Sequence, residues 1–515
     1  MQVETTFLQE QLQQNFGYSS FRRGQAEIIR DILAGKNVLG ILPTGSGKSI
    51  CYQLPAKLLN GTTIVVSPLI SLMIDQVKQL KAKQFKQVTA INSFMNREMR
   101  NSVLRKLHTY RLIYVSPELL QQQYVQGRLR NLKVSLFVID EAHCISQWGH
   151  EFRPDYLKLQ EVIMACKSPP VLALSATATP KVQEDIIYAL GGKEFVKHIY
   201  PMDRPNIAFS VEQVENEDEK LVIMKRLFSQ YRVPSLVYFS SRQAAEEVAQ
   251  ELASSLDLRI AVYHGGMEQQ DRITIQQQFM NDQLDIICCT SAFGMGINKS
   301  NIHLVIHYHL TTQLEAYIQE IGRAGRDGEA SVSLLLYSNK DIQLPKHIIS
   351  RELPSKQELV FVFNKLKVLD DADKPLPIKE EEVVNCFDIN EVQWRFIKYH
   401  LENHGIIKHN SIHFQQETWD HAFKQIYTYI EKRTMIKQAK LAEIIDWIYQ
   451  QDCLRKHLYK GFQSSYQPPV FQCCSNCGFS WKDWQPQQTR RKGNTYSWQE
   501  QLKNKLLIGG ANETT

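Results

Sequence analysis

The chain is 515 residues long, room for about three or four domains at roughly 150 residues each. Its 43% hydrophobic and 22% charged residues exclude wholesale disorder, a collagen-like repeat and a disulfide-stapled miniprotein. The 60 basic against 54 acidic side chains leave +6 at pH 7, compatible with a polyanionic partner and too small to identify one.

The opening MQVETTFLQEQLQQNFGY carries acids and glutamines where a secretory signal needs a basic and then an apolar stretch, and no apolar run approaches 18 residues. A soluble, cytoplasmic chain with no membrane partner is expected. Short apolar runs bounded by turn residues then recur between helical stretches at 37–42, 62–68, 111–117, 134–140 and 170–177, the signature of a parallel sheet. The first run leads straight into LPTGSGKS (42–49). Thr44, Gly45, Ser46 and Gly47 would form a turn whose glycines let backbone amides face a phosphate; Lys48 would reach the β/γ-phosphates of ATP and Ser49 would ligate Mg2+. Leu42 stands where the strict motif has glycine, so the match is to a relaxed form of the loop.

The fourth run ends at Asp140-Glu141-Ala142-His143, which puts two carboxylates at the C-terminal edge of a buried strand, where open α/β sheets bind ligand. Asp140 can hold magnesium through water, and Glu141 can orient and deprotonate an attacking water. Just beyond, SQWGHEFRPDY (146–156) carries Ser146, Gln147, Trp148, Phe152 and Arg153. Its aromatics and guanidinium offer single-strand stacking of about 1–3 kcal/mol per base; burial of Trp148 and Phe152 in a core is the alternative. The fifth run ends in Ser175-Ala176-Thr177, a hydroxyl-bearing turn suited to linking the nucleotide end of the sheet to movement of another domain.

After an irregular connector with an acidic stretch, ENEDEK (215–220), the pattern restarts at 235–241, 258–264, 284–291, 302–308 and 330–338, so one architecture occurs twice. SAFGMGINKS (291–300) fits a loop sensing both nucleotide and track. In QEIGRAGRDG (319–328), Arg323 and Arg326 lie three apart on an expected helix and would face the same way, with Gly322 and Gly325 permitting close approach. Phosphoryl transfer gains roughly 10³–10⁵-fold from an arginine at the γ-phosphate. No candidate lies beside the first loop, so the second sheet would supply it and ATP would sit between two lobes.

From about 345 the strand runs stop. Residues 378–414 read as helix, turn, helix and hairpin, with Asn390 as N-cap, Gln393 three later, Val392, Phe396, Ile397 and Tyr399 on an apolar side and Gly405 as terminator; this resembles a winged helix-turn-helix. Exposed positions mix Glu391, Arg395, Lys398 and Glu402 without a basic stripe, so DNA contact and a structural role both stay open. One long helix is expected over 437–462, with Leu441, Ile444, Ile445 and Ile448 on a common face, and a polar, loosely ordered segment after about 481. The 10 cysteines are too scattered for a disulfide framework, apart from the cluster Cys473, Cys474 and Cys477, which reads as thiols or metal ligands.

FGYSSFRRGQ (16–25), VVSPLISLMIDQV (65–77), VSPELL (115–120), DEAH, AHCISQWGHEFRPDY (142–156), SAT, YHGGM (263–267), AFGMGINK (292–299) and QEIGRAGRDG together resemble, in order and over roughly residues 10–340, the superfamily-2 helicases of the RecQ family. The resemblance implies an α/β chain with two tandem RecA-like lobes (1–203 and 204–345), a winged-helix-like module (346–430), a helical cysteine module (431–485) and a polar tail (486–515). It implies a monomeric helicase using ATP and Mg2+, moving 3′ to 5′ on single-stranded DNA and opening forked duplex DNA in recombination, repair or replication, near the bacterial nucleoid. Tyr18, Arg22 and Gln25 take the family's adenine-gripping role by position, and the 146–156 loop its coupling of DNA contact to hydrolysis. A structural Zn2+ is implied as well: Cys453, Cys474 and Cys477 fall on the family's pattern, Ser480 stands at the last ligand position, and Cys473 or His457 could complete a tetrahedron. A metal-free core is the alternative. The winged-helix-like segment precedes the cysteines and the chain stops soon after them, leaving no room for an HRDC-type domain, as in short RecS-like bacterial members. Two other readings are a DEAD-box-like RNA helicase and a DNA-binding scaffold with uncoupled ATPase. The second needs a lost lysine, acid or arginine, and none is missing.

Overall fold

A strand covered by helices on both faces has no polar side, which is why the recurrent apolar runs become parallel strands. The computed structural model describes residues 5–146, 153–192, 194–294, 299–377, 380–408, 411–463 and 465–488. In the first lobe β1 (Asn37–Ile41), β2 (Thr62–Val66), β3 (Val88–Ile91), β4 (Leu112–Val115), β5 (Val134–Ile139), β6 (Val171–Ser175) and β7 (Phe195–Ile199) form one sheet in the order β3-β4-β2-β5-β6-β1-β7, with every pairing parallel. In the second, β8 (Ile207–Gln213), β9 (Ser235–Tyr238), β10 (Ile260–Tyr263), β11 (Ile286–Cys289), β12 (Leu304–His307) and β13 (Ser331–Tyr337) are ordered β10-β11-β9-β12-β13-β8, again parallel.

The apolar runs do not reveal β3, β7 or β8. All three are sheet edges, and an edge strand need not be apolar throughout. β7 has no fully buried residue, and β8 is buried only from Ile207 to Ser210. The stretch ENEDEK is a helix start rather than an irregular connector. Asn216 caps the helix Glu217–Gln230 by accepting from Glu219 N at 3.0 Å, and three acids in the first turn suit the positive end of the helix dipole. Lys220 is buried there, its Nζ 2.6 Å from both Asp341 Oδ2 and Tyr308 O.

The C-terminal region departs further from expectation. A single helix of 33 residues, Gln416–Ile448, about 50 Å long, begins well before 437 and stops at Ile448; a separate helix, Leu454–Tyr459, follows a loop. The division expected at 430/431 therefore falls inside a helix. Its first half packs Trp419, Ala422, Ile426 and Ile430 into the core of the winged-helix-like module. Its second half packs Leu441, Ile444, Trp447 and Ile448 into a core shared with both lobes. In that module the helices Glu380–Phe387 and Glu391–Asn403 precede the hairpin β14 (Ile407–Lys408) and β15 (Ser411–Ile412), and Asn390 and Gln393 form a reciprocal capping box. Val392 is 57% exposed, not apolar-facing; Trp394 takes the core position and stacks on Phe387 at 4.9 Å. Nor is the chain loose after 481: Trp484 is buried in the second lobe, 4.8 Å from the Tyr231 ring, its Nε1 donating to Ala330 O at 3.0 Å. Among the described residues no helix is long and apolar enough to cross a membrane.

Candidate active site between the lobes

Because β5, β6 and β1 are neighbours, their C-terminal ends bring Asp140, Ser175 and the phosphate loop together. Leu42 N donates to Ser175 O at 3.1 Å, and the loop that follows feeds Lys48 and Ser49 into the helix Ile50–Leu58. Gly45 (φ 84°) and Gly47 (φ 76°) take left-handed backbone and also lack room: a Cβ would stand 2.9 Å from Arg326 Cγ at Gly45 and 2.9 Å from Gln25 Nε2 at Gly47. Gln25 Nε2 donates to Ser46 O at 2.9 Å and Gly47 O at 3.0 Å, while its Oε1 accepts from Arg22 N; Arg22 Nη1 donates to Gly45 O. Arg22 and Gln25 thus brace the loop through its carbonyls rather than its amides, of which Ser46 N donates to Pro43 O at 3.2 Å. Ser46 Oγ is buried with no hydrogen-bond partner. Tyr18, 47% exposed, lies with its ring 4.7 Å from Lys83 Nζ, and the Lys83 ammonium donates to its hydroxyl at 3.2 Å.

Burial and the adjacent Glu141 push the Asp140 carboxyl up to about 7, against the pull of Lys48. Glu141 is held at φ 49°, ψ 49°, a costly conformation for a non-glycine residue. Its Oε2 is buried without a hydrogen-bond partner and lies 3.4 Å from His143 Nδ1. His143 Nδ1 is 3.0 Å from Ser175 Oγ, which accepts from Thr177 N at 3.2 Å, so DEAH and SAT form one bonded unit. Ser175 and Thr177 are buried and can influence a strand only through their neighbours. The oxygen donors Asp140 and Ser49 fit a hard divalent cation, and a buried carboxyl raised by a second acid is a site such a cation would relieve.

The helix Leu314–Ile321 stops at Gly322, so Arg323 and Arg326 lie in a turn and point different ways, contrary to the shared helical face expected. Arg323, 3% exposed, turns into its own lobe and donates to Gly294 O. Arg326 reaches the first lobe and lies against Gly45. Burial and the guanidiniums of Arg323, Arg204 and Arg22 lower Arg326 to about 9, which leaves it charged at neutral pH. Arg204, in the connector between the sheets, donates to Thr44 O at 3.3 Å, Gly322 O at 3.2 Å and Gly325 O. Its partners are carbonyls, so no side-chain pattern announces it; its place at the 203/204 lobe boundary was the available signal.

Of the loop expected to couple DNA, Ser146 Oγ donates to Asp185 Oδ2 at 2.5 Å and Arg153 Nη1 lies 3.4 Å from Glu118 Oε1. Gln147, Trp148 and Phe152 fall outside the described residues, as do residues 295–298 of the second-lobe loop and Arg490, Arg491 and Lys492 of the tail. A second inter-lobe feature is a cavity of about 470 Å³ between the helices Ile70–Ala82 and Gln269–Met280, lined among others by Phe94, Tyr263, Lys78 and Arg272 and bridged by Gln276 donating to Asp75.

Cys453, Cys473, Cys474 and Cys477 offer sulfurs all within 4.8 Å of one another, and Cys453 Sγ is 3.5 Å from Cys473 Sγ. The adjacent pair Cys473 and Cys474 both reach the cluster. Ser480 instead bonds Gln472 through its backbone, and His457 faces Asp452 at 4.0 Å, so neither joins. Hydrogen bonds from Cys473 and Cys477 and from the amides of Leu454 and Arg455 pull the Cys474 thiol below its ordinary value despite burial. Four converging thiols fit a closed tetrahedral metal site.

Residues 22–186 match the DEAD/DEAH box helicase family and residues 219–328 the helicase conserved C-terminal domain. The chain is 43% identical over 476 residues to the probable ATP-dependent DNA helicase RecS of Bacillus subtilis, covering 92% of each. It is 41% identical over 346 residues to the ATP-dependent DNA helicase RecQ of Haemophilus influenzae, covering 66% of this chain and 55% of that one. Among solved structures, the Mycobacterium smegmatis helicase Lhr, bound to single-stranded DNA and AMP-PNP, has the same fold with a TM-score of 0.57 at 19% identity, over 81% of this chain and 61% of Lhr.

Proposed function

The chain belongs to the RecQ family of ATP-dependent DNA helicases, and from that membership we propose how its own residues turn ATP hydrolysis into strand separation. It is an ATP-dependent DNA helicase. ATP lies between the lobes, its triphosphate on the amides of the 44–49 loop, with Lys48 on the β/γ-phosphates and the adenine near Tyr18, Arg22 and Gln25. Ser49 and Asp140 would hold Mg2+, which would supply charge neutralisation at the phosphates. Glu141 orients and deprotonates the attacking water. Arg326 supplies the cation at the γ-phosphate, while Arg323 ties the turn to the Gly294 loop. The observation that carries this reading is the position of Arg326 against Gly45, a second-lobe cation on the first lobe's phosphate loop.

The single strand crosses both lobes over the cavity beside Phe94, Tyr263, Lys78 and Arg272, with the 146–156 loop reporting its presence to the DEAH-SAT unit. Movement is 3′ to 5′, and the cysteines hold a structural Zn2+. The protein works as a monomer in the bacterial cytoplasm, at the nucleoid. RNA unwinding is not favoured, since relatives at 41–43% identity are named as DNA helicases. Lys48→Ala is expected to abolish DNA-stimulated ATP hydrolysis and strand displacement from a 3′-tailed duplex while single-strand binding persists. Wild-type hydrolysis by that variant, or faster displacement from a 5′ tail, would overturn the site or the polarity respectively.

A further inference from the structure

The connector between the sheets, residues 202–207, is held from outside by the cysteine-bearing region. Gln463 Oε1 accepts from Met202 N at 2.8 Å and Asp203 N at 3.1 Å. Arg455, 2% exposed, donates to Asp203 Oδ1, to Arg204 O at 3.2 Å and to Ile207 O, and its guanidinium lies 4.6 Å over the Phe209 ring. Displacing either member of such a pair would leave a buried charge unpaired, so the backbone of Arg204 is fixed.

From that anchor the Arg204 side chain reaches three carbonyls belonging to two lobes: Thr44 O on the phosphate loop, and Gly322 O and Gly325 O on the turn that carries Arg326. The guanidinium presents its donors in a rigid, wide planar fork, whereas the three donors of a lysine ammonium radiate from one atom and cannot span the same separated carbonyls. The surfaces it joins are already in contact. A Cβ on Gly322 would stand 2.8 Å from Thr44 Cβ, so nothing else can fill the gap.

We infer that Arg204 is a positioning residue for ATP hydrolysis: by bonding Thr44, Gly322 and Gly325 at once, it sets Arg326 in register with the phosphate loop. The inference rests on the reading that ATP is hydrolysed between the lobes with Arg326 as the cation. Arg204 spends its donors on backbone carbonyls of Thr44, Gly322 and Gly325. Ground-state binding rests on Lys48, the loop amides and the adenine contacts, all within the first lobe, so losing Arg204 affects the chemical step.

The test uses the full chain, comparing Arg204→Ala, Arg204→Gln and Arg204→Lys with wild type and Lys48→Ala. ATP turnover at saturating single-stranded DNA, affinity for a fluorescent ATP analogue and melting temperature are measured on each. Arg204→Ala is expected to lose about 10²-fold in kcat, the scale of an ångström-sized misplacement, with KM and analogue Kd within about twofold; Arg204→Lys should recover part of the loss. Unchanged kcat, or KM and Kd rising in step with the fall in kcat, would overturn the inference. Should Arg204→Ala melt early, Arg204→Gln, which keeps one donor, is judged by the same criteria. Wild-type turnover by Lys48→Ala would sink the ATP-site reading itself. A dead Lys48→Ala beside a fully active Arg204→Ala would sink only the role of Arg204.

Discussion

Arg323 and Arg326 diverge because Gly322 ends the helix between Ile321 and the first arginine, and a turn does not preserve the three-residue repeat of a helical face. Residue-level chemistry was legible wherever it is local. The 44–49 loop and the paired acids are each contiguous in sequence, and the sheet brings them together as their place at strand ends suggests. Arg204 was not legible, since carbonyls far apart in sequence carry no residue-type signature. His309 shows the same limit for titration. It meets the Phe239 and Tyr308 rings edge-on, and its Nδ1 accepts from Ser240 N at 3.2 Å. Burial, then the Lys220 ammonium, lowers it to about 4 against the pull of Asp341. A folded pKa below the unfolded 6.5 means that its stabilising effect is complete above 6.5 and is lost as pH falls from 6.5 toward 4. The loss is at most on the order of 3 kcal/mol. Urea midpoints at pH 7 and pH 5 should therefore lie closer together in His309→Gln than in wild type; an unchanged gap would exclude His309 as a source of acid sensitivity.

Among elements, all the interior strands and the edge strand β10 were readable from their apolar runs, while the edge strands β3, β7 and β8 were not. The long helix is harder to read for a different reason: its buried face is one stripe from Trp419 to Ile448, but the buried Arg433 interrupts its apolar character midway, so the pattern reads as two pieces. Trp484 lies in a segment whose polar composition hides a structural anchor. Its indole packs with Tyr231 and Trp481 and bonds Ala330 O. Trp484→Ala should cost about 3–5 kcal/mol, read as a lower unfolding midpoint for the second lobe; a change within experimental scatter would show that the indole is not a support.

Across the molecule, the cysteine-bearing region reaches the inter-lobe cleft through the connector. Cys453 immediately precedes the helix that carries Arg455, and Cys473 O accepts from Phe209 N at 3.0 Å on β8. Elemental analysis should find about one zinc per chain, absent from Cys477→Ser, and chelation should lower both melting temperature and ATP turnover because Arg455 loses its footing. Equal stability and turnover with and without metal would count against a structural ion.

The placement of Trp484 also bears on how the protein is made. β8 to β13 leave the ribosome long before Trp481 and Trp484, which complete the hydrophobic core beneath them. At roughly 5–20 residues per second the wait is on the order of ten seconds. During it the nascent second lobe carries an open, greasy seam, so closure of its core lags well behind the synthesis of its own strands.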